Sequence, residues 1–438
     1  MQIHLFISVL LISLLGILPS RAQSPALPGS AMASVATDTL ALTLPQAEAA
    51  FLNTNFALLA ERFNIPAAQA DVVQARLFDN PEISLERNLF NPYNGRFFEG
   101  NEDRFQVVGG IEQLIQLGGK RRKAVDFART GVAIAELEFT DLVRTLRYEL
   151  RENFVTLFYR QQTQAMYARQ IDALQQTLNI TQRQYQRGNV ALKEVVRLKT
   201  QLFELESELK DLRNDISEDQ AELNLLLGSR QPRYLRPALP ATAPNSLRLN
   251  TLPLAQALET ARANRPDLQA AAATVQQQEQ NVRLQKSLAV PDLNVGTFYD
   301  HNGAVGKHYT GLTVGMPLPL FNRNQGGIKL AEAQRQGSEQ ALNQQEAAVV
   351  NEVTQAYRKA QEAERISDAF PPEYFTDADE LLDGVLRSYQ RKAIGLLEFL
   401  DFLDSYKSGV IQLNQSRAER LNAFDKLNEQ LGQQVFNY

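Results

Sequence analysis

Apolar positions along the chain follow two periods. Val195, Leu198, Leu202, Leu205, Leu209, Leu212, Ile216, Leu223 and Leu226 step by threes and fours, with the polar Asp219 in the same seam. This heptad pattern predicts a long helix that packs lengthwise on another, with Glu and Lys on its flanks. Residues 120–185 hold no Pro and a single Gly, and Ile171, Leu174 and Leu178 keep helical spacing. One continuous helix there would run ~100 Å at 1.5 Å per residue. Residues 45–78 are helical in spacing as well, through Ala47, Ala50, Phe51, Leu58, Leu59, Val72, Val73 and Leu77. Residues 82–90 and 104–115 alternate instead, with Ile83 and Leu85, then Val107, Gly109 and Ile111, between polar neighbours. That period predicts two strands, and Asn91-Pro92-Tyr93-Asn94-Gly95 between them is turn chemistry.

The same order of elements returns further on. Tyr185-Gln186-Arg187, Leu192 and Glu194 recur as Tyr389-Gln390-Arg391, Leu396 and Glu398, an offset of 204 that also carries Leu227-Gly228 onto Leu431-Gly432. Upstream, Pro81-Glu82-Ile83 recurs as Pro291-Asp292-Leu293, and Leu44-Pro45 as Leu252-Pro253. We therefore divide the chain into repeat one, 44–228, and repeat two, 251–432, joined by a Pro-rich link over 229–250, with a short tail at 433–438. Repeat two has a helix over 253–288, strands over 292–300 and 308–316, and a long helix from near Gln325. That helix breaks at Phe370-Pro371-Pro372 and resumes to about Tyr389, before a last helix over 396–431. A period near 200 is far too long for a solenoid unit and reads as a duplicated half-protein.

The N-terminal run Ile3 to Leu18 is apolar but shorter than a comfortable membrane span, and small residues stand at Ser20 and Ala22. It reads as a secretory signal, 1–22, cleaved after Ala22. Residues 23–43 read as a loose Ala/Ser/Thr/Pro lead-in. Composition then narrows the chemistry. Zero Cys excludes disulfides, thiol catalysis, Cys-held metals and a lipid anchor on cysteine. Three His, no Trp and a net charge of −5 give no basis for a His-based active site or a nucleic-acid surface. No nucleophile–base spacing or phosphate-binding glycine loop is present, so no enzyme and no cofactor are expected.

Helices of this length must pack side by side. Four strands cannot close a barrel, and in a bilayer every strand edge needs a partner, so the sequence argues for a barrel shared between chains. Gly109-Gly110-Ile111-Glu112-Gln113 with Leu117-Gly118-Gly119-Lys120-Arg121, the run Arg265-Pro266-Asp267-Leu268, Gly315-Met316-Pro317-Leu318-Pro319-Leu320-Phe321-Asn322, and Tyr389 through Asp401 carry a resemblance. Over 44–432 the chain resembles the TolC-like outer membrane efflux proteins. The Gly-Gly-Lys-Arg entry and Leu397-Glu398-Phe399-Leu400 are most similar to the heavy-metal cation-efflux branch (CzcC/CusC-like). The resemblance implies a mainly α fold with a small β part. Two β-hairpins per chain, 82–115 and 292–316, would give four strands to a homotrimeric twelve-stranded outer-membrane barrel above a periplasmic helical tube. It implies a periplasmic adaptor (membrane fusion) protein and an inner-membrane RND-type pump as partners, with outer-membrane lipid around the barrel. The exit duct of a type I protein-secretion system uses the same fold and is the alternative within transport. A soluble periplasmic coiled-coil scaffold is the alternative from another class; it explains the heptads but not the paired hairpins.

By the same resemblance the helical-hairpin tips form a gate. Glu194, Tyr389, Glu398 and Asp401 fall at its positions, the acids as carboxylate rings that attract cations. Glu194 and Glu398 also lie in first helical turns, where the macrodipole favours any acid. Ile394 stands where the family places an Arg for its resting lock, and Arg187 and Arg391 are the alternative partners. Gly188, Asn189, Leu192, Gly395 and Leu396 lie in tips that would meet the adaptor; the leucines are either exposed contacts or local packing. His301, His308 and Asp300 share one turn, which we read as an exposed polar loop rather than a metal site. Phe90, Tyr93, Phe97, Phe98, Phe105, Phe298, Tyr299 and Tyr309 gather at both hairpins, as an aromatic girdle would.

Overall fold

The computed structural model describes residues 39–438 except 92–94, 99–104, 241–242, 304 and 370–372. The expected signal, most of the lead-in, Tyr93 and the expected break at Phe370-Pro371-Pro372 lie outside the described residues. The first half opens with strand β1 (Thr39–Thr43), helices α1 (Leu44–Thr54), α2 (Phe56–Glu61) and α3 (Asn64–Arg76). Strands β2 (Glu82–Arg87), β3 (Phe90–Asn91), β4 (Arg96–Phe97) and β5 (Val107–Ile115) follow, then α4 (Lys120–Gln186) and α5 (Leu192–Leu226). Between the halves run β6 (Tyr234–Ala238) and α6 (Ala243–Ser246). The second half has α7 (Leu254–Asn264), α8 (Pro266–Leu288), β7 (Leu293–Asp300), β8 (Tyr309–Gly315), α9 (Gln325–Ala369), α10 (Glu373–Gln390) and α11 (Leu396–Leu431). The chain is thus mainly helical with a small β part, as the periods predict.

Three expectations need correction. The residues 45–78 do not form one helix: the chain leaves the helical region at Asn55, whose carboxamide caps α2 by accepting from Leu58 N–H at 3.0 Å. The helix expected over 253–288 is two, because Arg265 is extended and Pro266 starts α8 at a position where a missing N–H costs nothing. The loose lead-in and the link are not structureless throughout. Thr39–Thr43 pairs in parallel with Tyr234–Ala238, with Leu40 and Leu42 turned inward. Strands this short show in a sequence only through a partner, and this one lies almost 200 residues away.

β2, β5, β7 and β8 form one antiparallel sheet in that order. The register sorts its side chains. Ile83, Ile111, Thr297 and Leu312 form one cross-strand row, and Val295 with Val314 lies on the same face. Glu82, Glu112, Gly296 and Thr313 form a row on the opposite face, beside Ser84, Gly110, Phe298 and Gly311. The Phe298 ring covers Gly311, where an added Cβ would meet its Cε1 at 2.4 Å. Ile83, Leu85, Leu312 and Val314 are all exposed, so none of the described residues covers this apolar face. Among the described residues no helix is long and apolar enough to cross a membrane.

The helices follow the strands. α3 lies on α4, α4 on α8 and α8 on α9, which is the order of β2, β5, β7 and β8 to which they connect. Nearer the far end α5 lies on α4, α4 on α11, and α11 on α9 and α10. Knob residues from α4, α5 and α11, such as Leu174, Leu198 and Phe399, fill the seam between them. The polar seam position Asp219 is buried and accepts from Arg160 Nη1 at 2.7 Å. Midway along, Arg151 donates to Asp425 (2.7 Å) and Glu48 (2.6 Å), and the Tyr438 hydroxyl donates to Asp425 (2.5 Å). Arg265 is buried and clamps the start of α8 through Asp267, Glu352 and Gln430.

Candidate gate at the helical tips

The two helical hairpins end in the same backbone device. In the first tip Gly188 takes φ +76°; its N–H donates to the Tyr185 carbonyl (2.9 Å), and the Asn189 N–H donates to the Gln184 carbonyl (2.9 Å). In the second, 204 positions on, Lys392 takes φ +59°; its N–H donates to the Tyr389 carbonyl (2.9 Å), and the Ala393 N–H donates to the Ser388 carbonyl (2.9 Å). Both pairs close the last helical turn in the Schellman manner. Glycine adopts that backbone freely and lysine at a cost, so the second tip holds some strain.

Tyr389 and Glu194 are brought together. They line a cavity of about 300 Å³ with Thr181, Gln184, Lys392 and Ile394. The Tyr389 ring stacks on Phe399, with centroids 4.7 Å apart and planes 9° from parallel. Burial, with the Glu194 carboxylate, pushes the Tyr389 phenol above its ordinary value, and a hydrogen bond with Thr181 opposes the shift. The phenol therefore stays a neutral hydrogen-bonding group at any physiological pH. It ties α10 to the end of α4 within one chain. Gly395 and Leu396 also line this cavity.

Glu398 and Asp401 stand elsewhere. Both are exposed, on a face of α11 turned from the buried Phe399, Leu400 and Leu403. Asp404 continues their spacing, and sequence reasoning missed it; its signal was the step of three from Asp401. Lys407 lies 3.3 Å from Asp404 and donates to Glu208 at 2.9 Å. Burial opposes its charge, but Glu208 and Asp404 hold the ammonium above its usual range. Arg187 and Arg391 are exposed, and neither reaches an acid among the described residues. Leu192 is 54% exposed, whereas Leu396 packs into the tip core and Leu397 is 64% exposed in its place. Lys392 was also missed; its signal was the offset of 204, which sets it opposite Gly188. At the other end Phe90 meets Phe97 (4.9 Å, planes at 48°) and Phe298 meets Tyr309 (5.8 Å, planes at 57°) in tilted contacts, and Phe90, Phe97, Phe98 and Tyr309 remain exposed.

A family model described as outer membrane efflux protein matches residues 49–229 and 257–433. The chain belongs to the outer membrane efflux protein family. The cobalt-zinc-cadmium resistance protein CzcC of Cupriavidus metallidurans is 22% identical over 288 residues, which are 66% of this chain and 65% of CzcC. The match thus spans slightly less than two thirds of that relative's length. Among solved structures, a membrane protein from Pseudomonas aeruginosa superposes with a TM-score of 0.73 at 17% identity, over 89% of this chain and 92% of that one. A structure of CusC, described as undergoing conformational changes with folding and transmembrane channel formation, gives 0.70 at 18% identity over the same shares. These likenesses place the fold: a four-stranded sheet above long paired helices.

Proposed function

We propose that this protein is the outer-membrane channel of a tripartite efflux system, in which three copies close one twelve-stranded barrel above a periplasmic helical tube. The observation that carries this reading is the pair of open edges. β2 and β8 each have one unpaired side, and the helices below repeat the strand order, so the described chain is an open segment of a cylinder. Inside a bilayer such edges are tolerated only when they pair with another chain. The apolar face fits lipid and the Glu82–Glu112 face a wet lumen. Conduction needs no covalent step; this chain's residues line the path and shut it. The tips, where Glu194 and Tyr389 meet, are the closable end, and Leu192 and Leu397 are apolar contacts for a periplasmic adaptor that couples the channel to an inner-membrane pump. Divalent metal cations are the favoured cargo, in keeping with the CzcC likeness and the exposed acids on α11. The absence of native cysteine makes the test clean. Leu85→Cys in β2 and Leu312→Cys in β8, bridged by a flexible bis-maleimide in outer-membrane fractions, should give dimer and trimer bands. Monomer alone, or a protein found only in the soluble periplasmic fraction, would refute the reading.

A further inference from the structure

The turn joining β7 to β8 lies at the end of the sheet away from the long helices, and it brings two imidazoles together. The rings of His301 and His308 meet edge to face with centroids 4.9 Å apart. The Tyr299 hydroxyl lies 2.5 Å from His308 Nδ1. Phe105 lies against the His301 ring, at 6.3 Å between centroids. His308 holds φ +61°, a backbone that non-glycine residues rarely adopt.

We propose that His301 and His308 form a two-imidazole site for a borderline divalent transition ion such as Cu²⁺ or Zn²⁺. An ion bound at about 2.0–2.1 Å to one nitrogen of each ring lies about 3.2 Å from each ring centre. The two centres then stand about 4.5 Å apart at a right-angled site and about 5.2 Å apart at a tetrahedral one. The observed 4.9 Å falls between these values, so the ring spacing is already that of a shared ion. With Nδ1–H of His308 donating to the Tyr299 oxygen, Nε2 keeps its lone pair for the ion. A partner on the second ring nitrogen fixes the tautomer and orients a metal-bound imidazole. Imidazole pairs favour Cu²⁺, Ni²⁺ and Zn²⁺ over Mg²⁺ and Ca²⁺, which want oxygen. No group of three or more His, Cys, Asp or Glu is poised for a metal among the described residues. Water therefore fills the remaining positions, and the ion stays exchangeable. The sequence set this pair aside for want of a third ligand; the approach of the two rings is what the fold adds. The site stands whether or not the chain is an efflux channel.

Tag-free protein, titrated with Cu²⁺ at neutral pH and read by electron paramagnetic resonance, tests the proposal. One ion per chain with hyperfine structure from two imidazole nitrogens is expected, displaced by excess Zn²⁺. His301→Gln and His308→Gln should each weaken binding at least tenfold, and Tyr299→Phe by a smaller factor. The double variant His301→Gln with His308→Gln should lose the signal while its circular dichroism and melting match wild type. Wild-type protein without a two-nitrogen signal, or a folded double variant that binds Cu²⁺ as tightly as wild type, overturns the proposal.

Discussion

Replacing Tyr389 by Phe removes one oxygen from the tip and nothing else. The stack on Phe399, at 4.7 Å and nearly parallel, survives in the variant. The hydrogen bond with Thr181 does not. A buried neutral hydrogen bond contributes about 0.5–1.5 kcal/mol net, which multiplies the open-to-closed ratio about 2- to 13-fold per chain. If α10 and α11 of three chains leave α4 together, the factors multiply to about 10- to 2,000-fold. Single-channel recording in planar bilayers reads this directly, as longer or more frequent openings of a leak that wild type shows rarely. Tyr389→Leu, which also loses the aromatic stack, should leak more. Both variants at wild-type conductance, with the oligomer intact, would refute the assignment of Tyr389 to closure and leave it as packing.

Three further outcomes are expected. Glu398→Gln with Asp401→Asn should lower cation selectivity, most at low salt where screening is weak, with assembly unchanged; unaltered reversal potentials together with a lower melting temperature would make these acids helix-end residues. Gly432→Ala should destabilise far more than Gly188→Ala. Both have positive φ, but a Cβ on Gly432 falls 2.7 Å from the Asn264 carbonyl, whereas one on Gly188 meets nothing within 4 Å and costs only ~1 kcal/mol of backbone strain; equal melting temperatures would sink the steric argument. Burial pushes Asp425 up to about 6 despite Arg151 and Tyr438. An acid raised on folding favours the folded state while protonated, so this contribution is full below about pH 4 and lost as pH rises through 6, about 3 kcal/mol in all. Asp425→Asn should flatten that part of the melting profile, and an unchanged slope between pH 4 and 7 would count against it.

The long elements were legible because their signals are local. Heptad spacing through Leu198, Leu205 and Leu223 needs no knowledge of the partner helix, and alternation at Ile83 and Ile111 reads a strand without its neighbour. What the sequence hid depends on distant pairing or on backbone alone. β1 exists because β6 accepts it. Leu396 and Leu397 are adjacent leucines, and only the packing of α11 on its neighbours decides that the first is inside and the second outside. Of the four residues expected at a gate, Tyr389, Glu398 and Asp401 came from one tip motif and Glu194 from the matching position of the other tip, and the fold sorts them into Glu194 with Tyr389 at one cavity and Glu398 with Asp401 on an exposed helix face. A linear motif carries no information on which side of a helix axis the tube closes.

The contrast between positions 204 apart explains why one tip holds the tyrosine and the other does not. Tyr185 and Tyr389 precede the same turn, with the same two backbone hydrogen bonds. The residue that faces the ring from the following helix differs: Phe399 offers a flat partner to Tyr389, while Val195 occupies the matching place before Tyr185. A branched aliphatic side chain cannot stack, and Tyr185 is accordingly exposed. The turn residues diverge in the opposite sense, since unstrained Gly188 stands against left-handed Lys392, whose side chain borders the cavity that Glu194 enters. Repetition thus supplies two equal scaffolds, and substitution at the ring partner and at the turn concentrates stacking, strain and charge on the second. The second tip carries a ring stack and a strained turn where the first has an exposed tyrosine and a glycine.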